Sequence, residues 1–447
     1  MLSKLINAIF TSAPVADKAV AECAINGITD YFASSLQARD NDYAKILLKW
    51  LIDEGGTDKY MLVGQHRTAT ARQAALFNGF QAHLLDYDDV HQDIRGHPSS
   101  VVLSALLSSV DENTDGRRFL SAYAIGVELM AHLGTAVGDW HYSRGWHNTA
   151  TLGGIAATAA ICYLNNERDI IKTALAIAAT QSSGLRLMFG TPIKPLHAGL
   201  AAQAAVQAVG WAKAGLVADR DLFDNKWGFL AVYSIGKEQL DFDSFGVNGW
   251  RIAKPGLWFK NYAFCTAGSF VADGAKALYA EHKFSVDNIS EINISFSGGG
   301  DDALVITEPK TGEQGKFSAE YIAALALLGE PLSIEQFYPV PIEPSVLSVM
   351  KRVKRVHLGG DYKMGHGRFA DVEVVLADGS RHSKRTTYPH GSPRNPYGAE
   401  QFYEKLQRAI QDNAAADRLY GAIRGLSQGG KINGLTLPSQ AIARETH

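Results

Sequence analysis

Up to about residue 260, this 447-residue chain carries a predominantly helical pattern, which favours an α-helical bundle. Apolar residues recur at three- and four-residue spacing in segments such as 15–36, 70–85 and 118–134, as on the buried face of a helix. Two stretches, beginning at Thr151 and at His197, are unusually rich in alanine and glycine. Small side chains let backbones approach closely, so these stretches are predicted to be the central helices of a tightly packed bundle.

The pattern changes after about residue 265. Ile289–Phe296 alternates apolar and polar residues, and 370–376 and 380–387 flank an Ala-Asp-Gly turn, which predicts one strand and a β-hairpin. Helical patterns at 267–282 and 319–328 interleave with these strands. The middle of the chain is therefore predicted to be a smaller α+β region.

A segment rich in Gly, Ser, Pro and Asn ends this region, and a helical pattern then resumes toward the C-terminus. The predicted fold is mainly α, with a large helical domain built from both chain ends and interrupted by an α+β lid. The predicted limits are 1–265 for the first helical part, 266–396 for the lid and 397–447 for the returning helices.

The run from Leu85 to Ser100 is too polar for a core and too interrupted by Gly96 and Pro98 for an ordinary solvated helix. Its 16 residues include four aspartates, two histidines and an arginine, and they lie between two apolar helical patterns. Titratable and anion-binding groups crowded at a helix–loop junction suggest proton transfer on a carboxylate substrate.

Three further polar segments interrupt apolar pattern, at 139–149, 188–199 and 257–265. A His or Lys just before a helix start suits an anion, because free N–H groups and the positive end of the helix dipole meet there. Lys194, Lys260 and Arg95 are predicted to neutralise the carboxylates of a di- or tricarboxylate.

Two histidines are candidates for moving protons. His97 and His147 carry side chains with an ordinary pKa near 6.5. Each candidate has a structural alternative: Lys194 reads equally as a solvated lysine. Other polar residues are expected to cap, bridge or pack rather than react, namely at least two of Asp86, Asp88 and Asp89, and also His83, His132 and His141.

The sequence does not contain the motifs typical of metal sites, serine hydrolases or nucleotide-binding proteins. The Asp and His residues of the 86–97 run match neither HExxH nor an EF-hand loop, so no dedicated metal site is predicted. The sequence contains no GxSxG elbow and no GxGxxG or GxxxxGK[ST] loop. Cys265 remains open as a nucleophile, without a clear base.

Charge and cysteine content bear on the partners of the protein and on its cellular compartment. The formal net charge of −3 gives no electrostatic case for nucleic acid or an anionic membrane. Three cysteines far apart in sequence indicate a reducing compartment. The N-terminal apolar stretch is too short for a signal peptide, so a cytoplasmic protein is predicted.

Six motifs taken in order resemble the MmgE/PrpD family, which includes 2-methylcitrate dehydratase, cis-aconitate decarboxylase and iminodisuccinate epimerase. The motifs are LDYDDVH with GHPSS, GWHNTATLGG, FGTPIKPLHAGLAA, KNYAFC, KFSAEY and GSPRNP. The resemblance runs from about residue 20 to Pro396. It implies an active site between the helical domain and the lid, a homodimer, and neither metal nor organic cofactor.

The resemblance also implies which residues line the site. Positions matching the decarboxylase site are Asp86, His97, His147, Lys194, Lys260 and Tyr321. Asp86, Arg95 and Tyr321 are assigned to substrate binding. Tyr321 is indicated by the resemblance alone.

Some positions depart from the family pattern. Ala263 stands where a proline is frequent, Ser269 where a histidine is frequent, and Val90 where the decarboxylase has threonine. The surroundings of Arg95 and Tyr142 look closest to the epimerase branch, where Tyr142 and Lys260 would be two opposed proton carriers.

The predicted function is a cofactor-independent enzyme that makes or protonates a carbanion beside a carboxylate. The favoured prediction is a lyase of the 2-methylcitrate dehydratase type. An epimerase and a cis-aconitate-type decarboxylase are the enzymatic alternatives, and a non-catalytic dicarboxylate-binding protein is the remaining alternative. The catalytic residues are predicted to be His97, His147, Lys194, Lys260 and Tyr142.

Overall fold

The computed structural model describes residues 1–56, 58–111, 113–235, 240–357 and 367–435. Up to residue 213 the described chain forms helices α1 (Leu2–Thr11), α2 (Lys18–Gln37), α3 (Asp42–Glu54), α4 (Ala71–His83), α5 (Pro98–Leu107), α6 (Gly116–Ser143), α7 (Asn148–Leu164), α8 (Ile171–Ala179) and α9 (Ile193–Lys213). Further along it forms α10 (Phe229–Tyr233), α11 (Thr266–His282), α12 (Gly312–Gly315), α13 (Ala319–Leu327), α14 (Pro344–Met350), α15 (Ala399–Ile410) and α16 (Asn413–Gly425). The prediction of a mostly helical protein is confirmed.

The strands in the described part of the chain are short and form two sheets. They are β1 (Tyr60–Met61), β2 (Thr68–Ala69), β3 (Ile289–Phe296), β4 (Val353–His357), β5 (Ala370–Leu376) and β6 (Arg381–Thr386). The four-stranded sheet has the order β4-β3-β5-β6, in which only β3 and β4 run parallel. The predicted strand at β3 and the predicted hairpin of β5 and β6 are confirmed, whereas the sequence pattern did not predict β4.

The two small-residue helices pack tightly, as predicted, with α7 wholly buried and α9 buried on one side. Every residue of α7 is buried, and α9 packs closely across α4. A Cβ atom on Gly199 would lie 2.3 Å from the carbonyl oxygen of Leu76, and one on Gly79 would lie 2.8 Å from the Cα of Gly199. Only glycine allows the two backbones to cross this closely.

The buried apolar side chains form two main clusters. The larger draws on residues between Leu2 and Phe259 and on the returning segment from Phe402 to Leu435. The smaller lies between Tyr262 and Val374 and packs α11 and α13 with the four-stranded sheet. The division into domains at residues 265 and 396 stays a prediction, and residues 436–447 of its last part lie outside the described residues.

Among the described residues, α6 has the length and apolarity of a membrane span. In this structure, however, 94% of its most apolar window is buried against the rest of the protein. A core helix passes the same test, so α6 carries little weight as evidence for a membrane.

His141, which the sequence pattern predicted to be structural, lies near the end of α6 in a buried polar site. Its Nδ1 lies 2.8 Å from the carbonyl oxygen of Tyr233, and its Nε2 lies 2.8 Å from Oγ1 of Thr151. Burial lowers the pKa of His141 to about 4, although the hydrogen bond to Tyr233 opposes this. The imidazole is therefore neutral in the folded protein at pH 7.

We expect His141 to make stability depend on pH. Because its pKa is depressed in the folded state, the unfolded chain takes up the proton first. The stabilisation is complete above pH 6.5 and is lost as the pH falls toward 4. Between pH 7.5 and 4.5, the free energy of unfolding should fall by about 2 kcal/mol more in the wild type than in His141→Asn. Urea unfolding of both proteins at each pH measures this difference, and parallel curves would contradict it.

Candidate active site

Hydrogen bonds and an ion pair gather the four polar segments that the sequence singled out, and the ion pair between Lys194 and Asp86 ties the third segment to the first. Val90 and Trp258 exchange two backbone hydrogen bonds, of 2.9 and 2.8 Å, which tie the first segment to the fourth. The Nδ2 of Asn148 donates to the carbonyl of Ile94 at 2.7 Å, which ties the second segment to the first. Loops distant in sequence thus meet at one place.

The same place holds a cavity of about 550 Å³. Its lining includes residues of the helical part and residues from the region of the four-stranded sheet. Six of the eight predicted site residues line it: Asp86, Arg95, His97, Tyr142, His147 and Lys194. The other two, Lys260 and Tyr321, are not among the described residues that line it.

Asp86 is the electrostatic centre of the site. Its Oδ1 lies 2.5 Å from the Nζ of Lys260, and its Oδ2 lies 2.9 Å from the Nζ of Lys194. The Nε2 of His97 lies 3.5 Å from the same Oδ1. Burial alone would raise the pKa of this carboxyl, but Lys194 and Lys260 outweigh burial and hold the pKa well below its usual range. Asp86 is therefore ionised.

The backbone at Asp86 is held in an uncommon conformation. Its φ angle is +53°, in the left-handed region that aspartate tolerates better than most residues. Lys260 also donates to the carbonyl oxygen of Asp86, at 2.7 Å. One ammonium thus binds both the side chain and the main chain of Asp86. Strained conformations of this kind persist where surrounding contacts over-determine them.

A second buried carboxylate supports the histidines. Both oxygens of Asp88 lie within 3.0 Å of the Nδ1 of His83, and Oδ2 lies 3.3 Å from the Nδ1 of His97. Burial lowers the pKa of His83 to about 3 and also lowers the pKa of His97, although Asp88 opposes both changes. Both imidazoles are therefore neutral at neutral pH, and that of His97 lines the cavity.

His147 lies on another wall of the cavity, directly before α7. Its Nδ1 lies 3.1 Å from the Nδ1 of His197, so one of the two rings must be unprotonated at that nitrogen. Burial, then Lys194 and the neighbouring imidazoles, lower the pKa of His147 well below its usual value. Burial lowers the pKa of His197 to about 4. A neutral His147 can accept a proton from a substrate.

Tyr142 lies between two guanidinium groups. The Cζ of Arg186 lies 3.7 Å from the centre of its ring, and the Cζ of Arg95 lies 4.1 Å from it. Burial raises the pKa of this phenol, although both arginines act in the opposite direction. Tyr142 therefore offers a protonated hydroxyl on a cationic part of the cavity wall.

Two predicted site residues occupy other places. Lys260 is 1% exposed, and its ammonium binds the side chain and the main chain of Asp86. Tyr321 donates its hydroxyl to the carbonyl of Gln336 at 2.6 Å and packs against Phe337. The geometry thus gives no support to direct substrate contact by Lys260 or Tyr321, and both roles stay predictions.

Four side chains at this place have the chemistry of metal ligands. Suitable atoms of His83, Asp86, Asp88 and His97 lie within 4.8 Å of one another. However, two ammonium groups already neutralise Asp86, and a divalent cation would lie beside them. Like charges at this range repel strongly in a buried site, so the residues do not fit a metal.

Sequence reasoning missed two residues of the site region, His197 and Lys316, whereas the prediction that His83 is structural is not contradicted. The Nζ of Lys316 lies 3.4 Å from the carbonyl oxygen of Leu84. Burial lowers the pKa of Lys316 to about 8, although Glu313 and Asp86 oppose this. Lys316 stands in the KFSAEY motif, and its polarity within a buried segment was the available signal.

Comparison with known proteins identifies the family of this chain. The MmgE/PrpD N-terminal domain matches residues 7–241, and the MmgE/PrpD C-terminal domain matches residues 262–420. The chain belongs to the MmgE/PrpD family. The resemblance predicted from the six motifs is thereby confirmed.

Three relatives within the MmgE/PrpD family carry related names. Cis-aconitate decarboxylase of Mus musculus is 25% identical over 75% of this chain and 70% of its own length. Cis-aconitate decarboxylase-like protein oryM of Aspergillus oryzae is 26% identical over 84% of this chain and 83% of its own length. Cis-aconitate decarboxylase of Aspergillus terreus is 25% identical over 79% and 78%. At this identity, the names suggest a lyase and leave its exact reaction to experiment.

Proposed function

We propose that this MmgE/PrpD protein is a lyase that forms or protonates a carbanion beside a carboxylate of a di- or tricarboxylic acid. One observation carries the proposal: Lys194, His97 and His147 line one cavity around the ionised Asp86. The names of the relatives make cis-aconitate the first acid to test, and 2-methylcitrate, favoured by the sequence pattern, the second.

Substrate binding in this proposal depends on fixed cations. Lys194 and Arg95 face the cavity and bind carboxylates. The Nζ of Lys194 lies 5.4 and 5.3 Å from the ring centres of Phe189 and Phe317, so water has little access to it. A cation in such a low-dielectric place stabilises developing negative charge more strongly than in water.

In decarboxylation, the bond between carbon and the departing carboxylate breaks and CO₂ leaves. The electron pair stays on the substrate and is delocalised toward a second carboxylate, beside Lys194. A proton then adds to carbon, from Lys194 or through His97 or His147. In dehydration, a neutral His97 or His147 accepts the proton on carbon, and hydroxide leaves with a proton from Lys194 or Tyr142. Both routes need acid–base groups and cations, and we propose neither metal nor organic cofactor.

Epimerisation is the second candidate, because Tyr142 presents a protonated hydroxyl to the same cavity. An epimerase needs a proton donor and a proton acceptor on different sides of one carbon. The sequence analysis paired Tyr142 with Lys260, but Lys260 does not line the cavity among the described residues. In this version, Lys194 or a neutral histidine takes the place of Lys260.

Proton NMR in D₂O separates these reactions. The wild type is incubated with citrate, 2-methylcitrate, cis-aconitate and iminodisuccinate in turn. Loss of CO₂ with deuterium at carbon indicates decarboxylation, loss of water indicates dehydration, and exchange without either indicates epimerisation. Thermal stabilisation by an acid without any turnover would leave a binding protein and overturn the proposal.

Lys194→Met should lower this turnover by about 10²–10³-fold, as loss of a charge-stabilising donor commonly does. Lys172→Met is the matched control, because the side chain of Lys172 is 41% exposed and its carboxylate partner among the described residues is the surface residue Asp219. It should retain the wild-type rate. An active Lys194→Met variant would remove Lys194 from the mechanism.

The remaining predictions concern assembly and location. We propose a homodimer, supported by the exposed apolar side chains along α9, where Ile193, Leu200 and Trp211 are 42%, 43% and 42% exposed. A cytoplasmic location is proposed on the cysteine spacing alone.

A further inference from the structure

The returning helix α15 carries a lysine on its buried face. Phe402, Leu406 and Ala409 surround this position in the helix and are buried in the larger apolar cluster. Lys405 itself is 3% exposed. A buried ammonium among apolar neighbours is costly unless its partners compensate it, so the partners of Lys405 indicate what it does.

The ammonium of Lys405 has three polar partners. Its Nζ donates to Oδ1 of Asp30 at 2.6 Å, to the carbonyl oxygen of Tyr87 at 2.8 Å and to the carbonyl oxygen of Lys260 at 3.3 Å. It also lies 3.6 Å from the centre of the Tyr87 ring. Asp30, on α2, is 1% exposed and balances the charge.

The two carbonyl groups belong to the segments that form the centre of the site. Tyr87 directly follows Asp86, and Lys260 is the residue whose ammonium binds Asp86. These segments lie 174 residues apart in sequence. One side chain of the returning helix therefore ties together the main chains on both sides of the Asp86–Lys260 ion pair.

We propose that Lys405 is a positioning residue that holds the Asp86–Lys260 pair in the geometry from which Asp86 orients Lys194 and His97. The inference rests on the proposed function of the cavity. Lys405 does not line the cavity among the described residues, so it acts through Asp86 and Lys260.

Stability alone does not account for a buried Lys405–Asp30 pair. Replacing both members of such a pair with uncharged residues of similar volume is often neutral or stabilising. An apolar side chain at position 405 would suit its neighbours on α15. What it could not supply is a donor to the two carbonyl groups, and that is the contribution we assign to Lys405.

The test removes both charges together, in Asp30→Asn/Lys405→Met. The double variant should fold as the wild type does. Its kcat should fall by about 10–100-fold, because small displacements of reacting groups are costly, while KM changes by less than about threefold. Arg408→Met, at an exposed position of the same helix, is the control and should match the wild type. Asp30→Asn/Lys405→Leu also removes both the ammonium and its donors and serves if the first variant does not fold.

A second readout needs no turnover. With [4-¹³C]aspartate labelling, the carboxyl signal of Asp86 is assigned by its absence from Asp86→Glu. In the wild type, this signal should not titrate between pH 8 and pH 5, because Lys194 and Lys260 hold the pKa well below its usual range. In the double variant, the pKa of Asp86 should rise as Lys260 moves away. If the Asp86 signal of the folded double variant is the same as that of the wild type, the inference is overturned. If the signal shifts in the double variant but the wild type turns over none of the acids, only the proposed reaction is overturned.

Discussion

The Asp86→Asn variant is expected to lose about 3–5 kcal/mol of unfolding free energy, together with all measurable turnover. Asp86 is the shared counter-ion of Lys194 and Lys260, whose side chains are 5% and 0% exposed. Asparagine keeps the shape and one acceptor oxygen but removes the negative charge. Two buried ammonium groups would then face each other without compensation.

The loss of activity has the same origin. Without the carboxylate, Lys194 loses the contact that orients it, and repulsion from Lys260 favours its deprotonation or displacement. A neutral Lys194 cannot stabilise a developing carbanion. Urea unfolding and proton NMR turnover, both at pH 7.5, measure the two effects.

Asp371→Asn is the matched control for stability. Asp371 pairs with Arg385 on the surface of the sheet, and their side chains are 23% and 56% exposed. Such a pair contributes at most about 1 kcal/mol. If Asp86→Asn were no less stable than this control, the two lysines would not depend on Asp86 for their charge, and the description of the site would be wrong.

The second large effect is expected from His97→Gln, which should lower kcat by about 10²–10⁴-fold with little change in stability. His97 lines the cavity and contacts both Asp86 and Asp88. Glutamine can keep a hydrogen bond to one carboxylate, but it cannot accept and return a proton near neutral pH. The side chain of His97 makes no capping hydrogen bond to α5, so the helix start should persist.

His132→Gln provides the opposite control. His132 is buried in α6, 3.1 Å from Glu128, and stacks on Phe245, away from the residues that line the cavity. Its replacement should lower stability and leave kcat unchanged. Turnover of His97→Gln within threefold of the wild type, at matched stability, would exclude His97 as a proton carrier.

Much of the secondary structure followed from local pattern. Periodic apolar residues located α2, α4 and α6, the stretches rich in small residues located α7 and α9, and the alternation over Ile289–Phe296 located β3. The strand β4 was missed, because its five residues include charged Lys354 and Arg355 and carry no clear alternation. Its parallel pairing with β3 joins residues about 60 positions apart, a contact that no local window contains.

Four residues of the candidate site could also be predicted from the sequence. Asp86, His97, His147 and Lys194 stood out as polar residues at interruptions of apolar pattern, and the structure places all four around one cavity. His83 and Lys405 did not stand out, because a single polar residue inside a helical pattern looks like one on a solvated face. Packing makes the difference, because both side chains are buried, His83 against Asp88 five residues away and Lys405 against Asp30, which lies 375 residues away in sequence.

The order of residues along the chain was enough to predict a mostly helical protein and its family, both of which are confirmed, because periodicity and motifs are properties of short segments. Which side chains reach the cavity depended on contacts between distant segments. Lys260 was predicted to contact the substrate, yet it binds Asp86 and is not among the described residues that line the cavity. The local pattern around Lys194 is equally compatible with a solvated lysine, yet Lys194 lines the cavity. A buried lysine needs a carboxylate partner because of its charge. Only the packing of distant segments determines that Lys194 pairs with Asp86 and that Lys405 pairs with Asp30.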